Sequence, residues 1–229
     1  MWRNLLFLIL MASPAVAAEA VDLELVLAVD ASGSVDDGEY HLQMDGIAAG
    51  LRDPDVQKAI SSGPHGKIAI SLLVWADHLK AKDKSGWFRL TSPGDAEAFA
   101  RLVENFPRRQ NGGTGLGAGV AEAISEIVGN GYDGTQQTVD VSGDGGESAP
   151  HDFAVLMPQA REMAVFHGIT INGLAVFHDE PQVISYYQHE VRTGPGSFVM
   201  AASNFDHFAE AMRLKLLREI GWKLRVSAR

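Results

Sequence analysis

Five apolar runs rich in β-branched residues recur along the chain, and segments with helical periodicity separate them. This alternation is typical of an α/β fold built on a mostly parallel sheet. A chain of 229 residues is long enough to bury one hydrophobic core, and no repeat, low-complexity tract or linker divides it. We therefore expect a single domain over residues 20–225. The predicted strands lie at residues 23–29, 67–75, 138–141, 169–176 and 197–201.

The first residues have the pattern of a secretory signal peptide. Arg3 precedes an apolar segment at residues 5–12, and Pro14 is followed by small residues up to Ala18. The apolar segment is shorter than the roughly 20 residues that a membrane-spanning helix needs. We therefore predict that residues 1–18 are removed on export, that the mature protein has no stable membrane insertion, and that it is periplasmic or secreted.

The composition excludes several classes of site and partner. The chain has no cysteine, which rules out disulfides, thiolate metal sites and cysteine nucleophiles. Its formal net charge is −10 at pH 7, so nucleic acid and anionic membrane surfaces are poor general partners. Basic residues crowd the C-terminal end, where we interpret them as favourable charges near a helix C-terminus followed by a solvated tail. They are Arg213, Lys215, Arg218, Lys223, Arg225 and Arg229.

Helix starts can be placed from local signals. Asp36 and Glu39 have the spacing of a capping box, and apolar residues follow at helical intervals up to Leu51. Aspartate followed by proline at Asp53-Pro54 predicts a second helix start. Further helices are expected after Ser92, over residues 116–127, 158–167 and 181–191, and in a closing segment whose apolar stripe begins at residue 205.

Side chains suited to a hard cation follow the first predicted strand. Asp30, Ser32 and Ser34 place one carboxylate and two hydroxyls where a parallel sheet puts its ligand site. Hydroxyl oxygens are uncharged, so this set would leave a bound divalent cation short of negative charge and receptive to another anion. Thr114 lies in a glycine-rich segment before a predicted helix, and Asp144 follows the strand at residues 138–141.

Asp30, Ser32, Ser34, Thr114 and Asp144 together resemble the metal-ion-dependent adhesion site, or MIDAS, of von Willebrand factor type A (vWA) domains. The resemblance covers most of the chain after the leader and is strongest to a group of exported bacterial proteins for which no activity can be carried over. It implies a doubly wound, mostly parallel sheet flanked by helices. It also implies Mg²⁺ or Mn²⁺ held directly by the serines and the threonine, with the aspartates acting through bound water.

The resemblance further implies a protein ligand that presents an Asp or Glu carboxylate to the cation. We therefore interpret the chain as a metal-dependent protein-binding module and not as an enzyme. Two positions depart from the family pattern, because Ser142 and Gly143 precede Asp144 where a hydrophobic residue and threonine are usual. We expect the residues after two strand ends, 75–78 and 176–178, to form the rim that sets specificity.

Three other interpretations remain open at the level of sequence. Residues 113–118 fit G-x-G-x-x-A, but they do not follow a predicted strand, which argues against a dinucleotide site. A metal-dependent hydrolase would use the same cation to polarise a substrate oxygen, with His151 or His178-Asp179-Glu180 as acid or base. No nucleophile elbow or zinc-spaced histidine pair supports it. Alternatively, the cation would serve only the stability of the fold.

Overall fold

The computed structural model describes residues 17–148, 152–178 and 180–221, so the predicted signal peptide lies almost entirely outside the described residues. Six strands form one sheet: β2 (Leu23–Asp30), β3 (Ile68–Trp75), β4 (Asp83–Leu90), β6 (Gln137–Gly143), β7 (Thr170–Val176) and β8 (Val199–Ala202). Two short strands, β1 (Glu19–Val21) and β5 (Tyr132–Gly134), pair with each other in parallel beside it. All five predicted strands are present, and no end is shifted by more than two residues.

The order of the strands across the main sheet is β4-β3-β2-β6-β7-β8. Only β4 runs antiparallel, and the other neighbours are parallel. The chain first builds outward from β2 through β3 and then returns to build the other half from β6. The switch point of this doubly wound sheet therefore lies between β2 and β6, which is where such sheets bind ligands.

Helices cover both faces of the sheet and bury its apolar strands in two cores. On one face lie α1 (Asp37–Arg52), α2 (Pro54–Ile60), α3 (Pro93–Glu104) and α7 (Phe208–Ile220). On the other face lie α4 (Leu116–Val128), α5 (Met157–His167) and α6 (Gln182–Tyr186), which continues as a π-helical turn (Tyr187–Val191). None of the described helices is both long and apolar enough to cross a membrane.

The predicted capping signals place the helix starts correctly. Asp36 and Glu39 form a reciprocal capping box at α1, and Asp53 caps α2 ahead of Pro54. Strand β4 was not predicted, because it is an edge strand whose residues are mostly exposed or half-buried and form no continuous apolar run. Residues 181–191 were predicted as one helix, whereas the chain changes from α to π geometry at Tyr187.

Lys215, which we interpreted as a favourable charge near a helix C-terminus, instead lies in the core. Its side chain is fully buried beneath α7, with Nζ 2.6 Å from Oδ1 of Asp140 on β6 and 2.5 Å from Oε1 of Glu219. Asn172 on β7 donates a hydrogen bond of 2.8 Å to the same Glu219 oxygen. Two acidic side chains and one ammonium group thus meet in the core, and this network joins α7 to the centre of the sheet.

Replacing Lys215 with alanine should lower the free energy of unfolding by about 3–5 kcal/mol, because it removes the cation shared by two buried acidic side chains. Urea unfolding at pH 7 measures this. Lys58→Ala, which removes an exposed lysine from α2, is the control and should change stability little. A Lys215→Ala protein as stable as the Lys58→Ala protein would contradict the assigned role of the network.

The same network predicts a pH dependence of stability. Burial, reinforced by the Glu219 carboxylate, raises the pKa of Asp140 to about 8 against an ordinary value of 3.8. The folded protein therefore binds this proton more tightly than the unfolded chain does, so the stability from this group is lost as the pH rises from about 4 to about 8. The free energy of unfolding of Asp140→Asn, measured relative to that of the native protein by urea unfolding, should therefore increase between pH 5 and pH 9. A constant difference across that range would refute the shift.

Candidate metal centre

Three loops meet at the switch point of the sheet, and each carries predicted site residues. The first loop (residues 30–36) joins β2 to α1, the second loop (111–115) leads into α4, and the third loop (143–148) follows β6. The Gly33 amide donates a hydrogen bond of 2.8 Å to the Gly112 carbonyl, which joins the first loop to the second. The second and third loops are joined through Thr114 and Ser148, whose backbones are 2.9 Å apart.

Four predicted site residues form one connected chain of oxygen atoms. The Ser34 hydroxyl donates to Oδ1 of Asp144 at 2.7 Å and accepts from the Ser32 hydroxyl at 3.2 Å. Oδ1 of Asp30 accepts from the Ser32 amide at 2.7 Å. Ser34 is exposed and Asp144 is half-buried, whereas Asp30 and Ser32 are fully buried. The cluster therefore runs from the interior of the sheet to the surface.

Thr114, the fifth predicted residue, is half-buried in the second loop, and the described contacts that hold it are made by its backbone. Its amide donates 2.8 Å to the Ser148 hydroxyl, while its carbonyl accepts from the Ser148 amide. The glycines around it allow close packing, since a β-carbon at Gly115 would lie 2.4 Å from the His78 nitrogen. This packing explains the glycine-rich pattern without a dinucleotide.

The second oxygen of Asp30 has no hydrogen-bond partner among the described residues, although it is buried. Burial raises the pKa of Asp30 to about 7. The hydrogen bond from the Ser32 amide lowers this pKa, and the charge of the nearby Asp144 raises it. An ionised carboxylate in such a place is costly unless a cation or donor compensates it. Asp30 thus has the electrostatics of a group that needs a positive partner.

The spacing of the oxygens fits a hard cation. Neighbouring oxygens in the octahedral shell of Mg²⁺, each about 2.0–2.1 Å from the ion, are about 3 Å apart. The 3.2 Å between the hydroxyls of Ser32 and Ser34, two of the predicted direct ligands, is close to this separation. Among the described residues, no group of three or more His, Cys, Asp and Glu side chains is placed to hold a metal. The candidate set differs from such sites because hydroxyls outnumber its two carboxylates.

Arg108 supports the first loop, and sequence reasoning did not identify it. Its guanidinium donates to the carbonyls of Ser32, at 3.3 Å, and of Val35, and it pairs with Asp37 at 2.5 Å. The guanidinium thus holds backbone carbonyls that precede and follow Ser34 in the first loop. No local motif marks this role, because Arg108 lies more than 70 residues from the loop that it holds.

Glu147 supports the second and third loops, and it was also missed. Its carboxylate accepts from the Gly117 amide at 2.8 Å and from the Met157 amide at 2.9 Å. These amides belong to the first turns of α4 and α5, so one side chain caps two helices. Glu147 therefore fixes the direction in which the third loop leaves Asp144.

The predicted rim of the site is partly wrong. Trp75 and His78 are buried, with Trp75 against α4 and His78 Nε2 3.6 Å from Oε1 of Glu147. Strand β3 ends under the second loop, so the side chains that reach solvent there are those of Leu79 and Lys80. His178 is exposed as expected; its ring lies against Phe205, and its Nε2 is 3.7 Å from Glu39.

A groove of about 440 Å³ opens beside the first loop. It is lined by Gly33, Val35, Asp36 and Asp37 and by the segment from Arg108 to Asn111. Arg109 is exposed and has no acidic partner among the described residues, in contrast to Arg108, which is paired with Asp37. A ligand that reaches Ser34 from this side would meet charges of both signs, since Asp36 and Arg109 both line the groove.

Replacing Arg108 with alanine should lower the free energy of unfolding by about 2–3 kcal/mol, because the charged hydrogen bonds to the first loop are lost. Its neighbour Arg109 provides the matched control, since Arg109→Ala removes an equally long cation that does not hold the loop. Chemical unfolding of both proteins makes the comparison. Equal stabilities would mean that Arg108 does not support the loop.

Solved structures with the same fold include two pilus proteins and a matrix protein of the mussel byssus. The pilus adhesin SpaC from Lactobacillus rhamnosus GG, in an open conformation, is 12% identical with a TM-score of 0.63, over 89% of this chain and 31% of SpaC. The vWF domain of the pilus tip protein Mfa5 from Porphyromonas gingivalis is 13% identical with a TM-score of 0.58, over 91% and 97%.

A third structure is proximal thread matrix protein 1 from the mussel byssus, determined with zinc in its MIDAS motif. It is 16% identical with a TM-score of 0.55, over 88% of this chain and 48% of the matrix protein. This chain thus spans under half of SpaC and of the matrix protein, and at these identities the likeness shows the fold alone. No curated protein matches the sequence.

The predicted vWA fold is confirmed by these structures and by the doubly wound sheet. A family model matches residues 20–223, which is nearly all of the chain after the predicted leader. The chain therefore belongs to the family described as a protein of unknown function, DUF1194, and it has the vWA fold.

Proposed function

We propose that this protein is an exported, metal-dependent binding module that captures an acidic side chain of a partner protein. Ser32, Ser34 and Thr114 would hold Mg²⁺ or Mn²⁺, with Asp30 and Asp144 fixing the serines and the water around the ion. The observation that carries the proposal is the oxygen chain from exposed Ser34 to the unpartnered Oδ2 of buried Asp30. A divalent cation with its bound water would accept oxygens of this cluster as ligands and compensate the negative charge of Asp30.

The balance of charge favours recruitment of an anion. Asp30 and Asp144 supply two negative charges at most, and the hydroxyls of Ser32, Ser34 and Thr114 supply none. A bound divalent cation would therefore remain electrophilic and accept a further carboxylate from outside.

The structural relatives support this proposal through what their titles describe. SpaC is a pilus adhesin, Mfa5 is a pilus tip protein, and the matrix protein holds zinc in its MIDAS motif. We propose that this protein is periplasmic or secreted, because its first 18 residues have the pattern of a signal peptide.

The hydrolase alternative has less support. It needs a general acid or base close to the cation. Of the candidates, His151 and Asp179 lie outside the described residues, and the described contacts of His178 are with Glu39 and Phe205 on the side of α1. A binding module requires no such group, so the geometry favours binding over catalysis.

Calorimetric titration of Mn²⁺ and Mg²⁺ into the metal-stripped protein tests the metal site. One saturable site is expected, and it should be lost in Ser34→Ala and Asp144→Ala because both side chains belong to the oxygen chain. These variants should fold, since Ser34 is exposed and Asp144 is half-buried. Asp45→Ala, an exposed aspartate on α1, is the control and should bind normally. Equal binding by Ser34→Ala and Asp45→Ala would refute the site.

A second titration separates a recruiting cation from a purely stabilising one. The Mn²⁺ affinity should rise several-fold in the presence of a short capped peptide containing aspartate, because its carboxylate completes the coordination shell. The same peptide with asparagine should have no effect. If neither peptide changes the affinity while Mn²⁺ raises the melting temperature, the cation serves stability and the recruiting function is wrong.

A further inference from the structure

The hydroxyl of Tyr187 points at the same place as the unpartnered oxygen of Asp30. A β-carbon built at Gly143 would lie 2.7 Å from Oδ2 of Asp30 and 2.7 Å from the Tyr187 oxygen. Both oxygens are buried, and neither has a hydrogen-bond partner among the described residues. Because each oxygen lies within 2.7 Å of that one point, a single water molecule or a small movement of the ring can join them.

Two glycines make room for the tyrosine in the sheet. Gly143 ends β6, and Gly173 lies on the neighbouring β7, where a β-carbon would be 2.6 Å from Cδ1 of Tyr187. A larger residue at either position would displace the ring or its hydroxyl. Gly143 is also the position at which this chain departs from the threonine usual in vWA domains, so the space that this departure leaves is used by Tyr187.

The backbone at Tyr187 is itself irregular. Helix α6 ends at Tyr186, and the next five residues form a π-helical turn that starts with Tyr187. Such turns are rare in proteins overall, but many of those known lie at functional sites. A π-helical turn changes the direction of a side chain relative to the regular helix. Here Tyr186 takes the hydrogen bond of the Glu147 amide, while Tyr187 is directed down to Asp30. Consecutive tyrosines thus contact the third loop on its two sides.

We infer that Tyr187 is a positioning residue of the metal centre, whose hydroxyl donates a hydrogen bond to Oδ2 of Asp30 when the cation is bound. This inference rests on the proposed function. A tyrosine hydroxyl donates one proton and needs an acceptor when buried, and the ionised Asp30 supplies it. The hydrogen bond would hold the carboxylate in the orientation that the bound ion and its water require.

The test compares Tyr187→Phe with the native protein in Mn²⁺ calorimetry. The substitution keeps the ring that fills the space over Gly143 and Gly173 and removes only the hydroxyl. The Mn²⁺ affinity should fall about tenfold, as is typical when an outer-shell partner of a metal ligand is lost. The melting temperature of the metal-free protein should stay the same or rise, because the removed hydroxyl has no partner in the described residues.

Tyr40→Phe is the matched control. Tyr40 is also buried, but its hydroxyl donates to the Phe106 carbonyl at 3.3 Å, away from the oxygen chain. This variant should lower the melting temperature and leave the Mn²⁺ affinity unchanged. The two tyrosine variants are therefore expected to show opposite patterns, which a general loss of packing would not produce.

A spectroscopic measurement adds a direct signal. The chain has four tyrosines, so fluorotyrosine labelling gives a fluorine spectrum that Tyr187→Phe assigns by loss of one line. Saturation with Mg²⁺ should shift the Tyr187 line and leave that of Tyr40 in place. Unchanged Mn²⁺ affinity in Tyr187→Phe would overturn the inference and leave the metal site intact. No Mn²⁺ binding by the native protein would overturn the proposed function and the inference together.

Discussion

The carboxylate of Asp30 is the constraint on which the rest of the site depends. It sits at the end of the central strand β2, between β3 and β6, where water does not reach it. One of its oxygens is satisfied by the Ser32 amide, and the other is left without a protein donor among the described residues. Burying an ionised carboxylate is costly, and the proposed cation would offset that cost.

The surroundings of Asp30 are built to keep that geometry fixed. The buried Gln43 on α1 donates 3.0 Å to the Asp30 carbonyl and accepts 3.4 Å from the Ser142 hydroxyl, so it links the ends of β2 and β6. Arg108 holds the first loop from outside, and Glu147 holds the third by capping two helices. Rigid support of this kind is what distinguishes a prepared site from a chance cluster of oxygens.

Sequence reasoning predicted the fold and the oxygen-bearing loops because both have local signals. Buried parallel strands are continuous apolar runs, and the first carboxylate and two hydroxyls lie within five residues of each other. Arg108, Glu147 and Tyr187 have no such signal, since each acts on residues that only the folded sheet brings near. Lys215 is different: it lies three residues after Met212, inside the apolar stripe of α7, and its partner Glu219 follows at a helical spacing. Its position in the stripe indicates burial, but a lysine is usually expected at the surface, so the burial was not predicted.

The burial of Lys215 also determines how α7 can move. An apolar helix face can slide over a sheet by exchanging one similar contact for another. Helix α7 cannot do so here, because a displacement by one turn, about 5.4 Å, would carry the ammonium away from Asp140 and leave that carboxylate alone in the core. The contact between Lys215 and Asp140 therefore fixes the position of α7 along its own axis. Sliding of the helix over the sheet requires this contact to break.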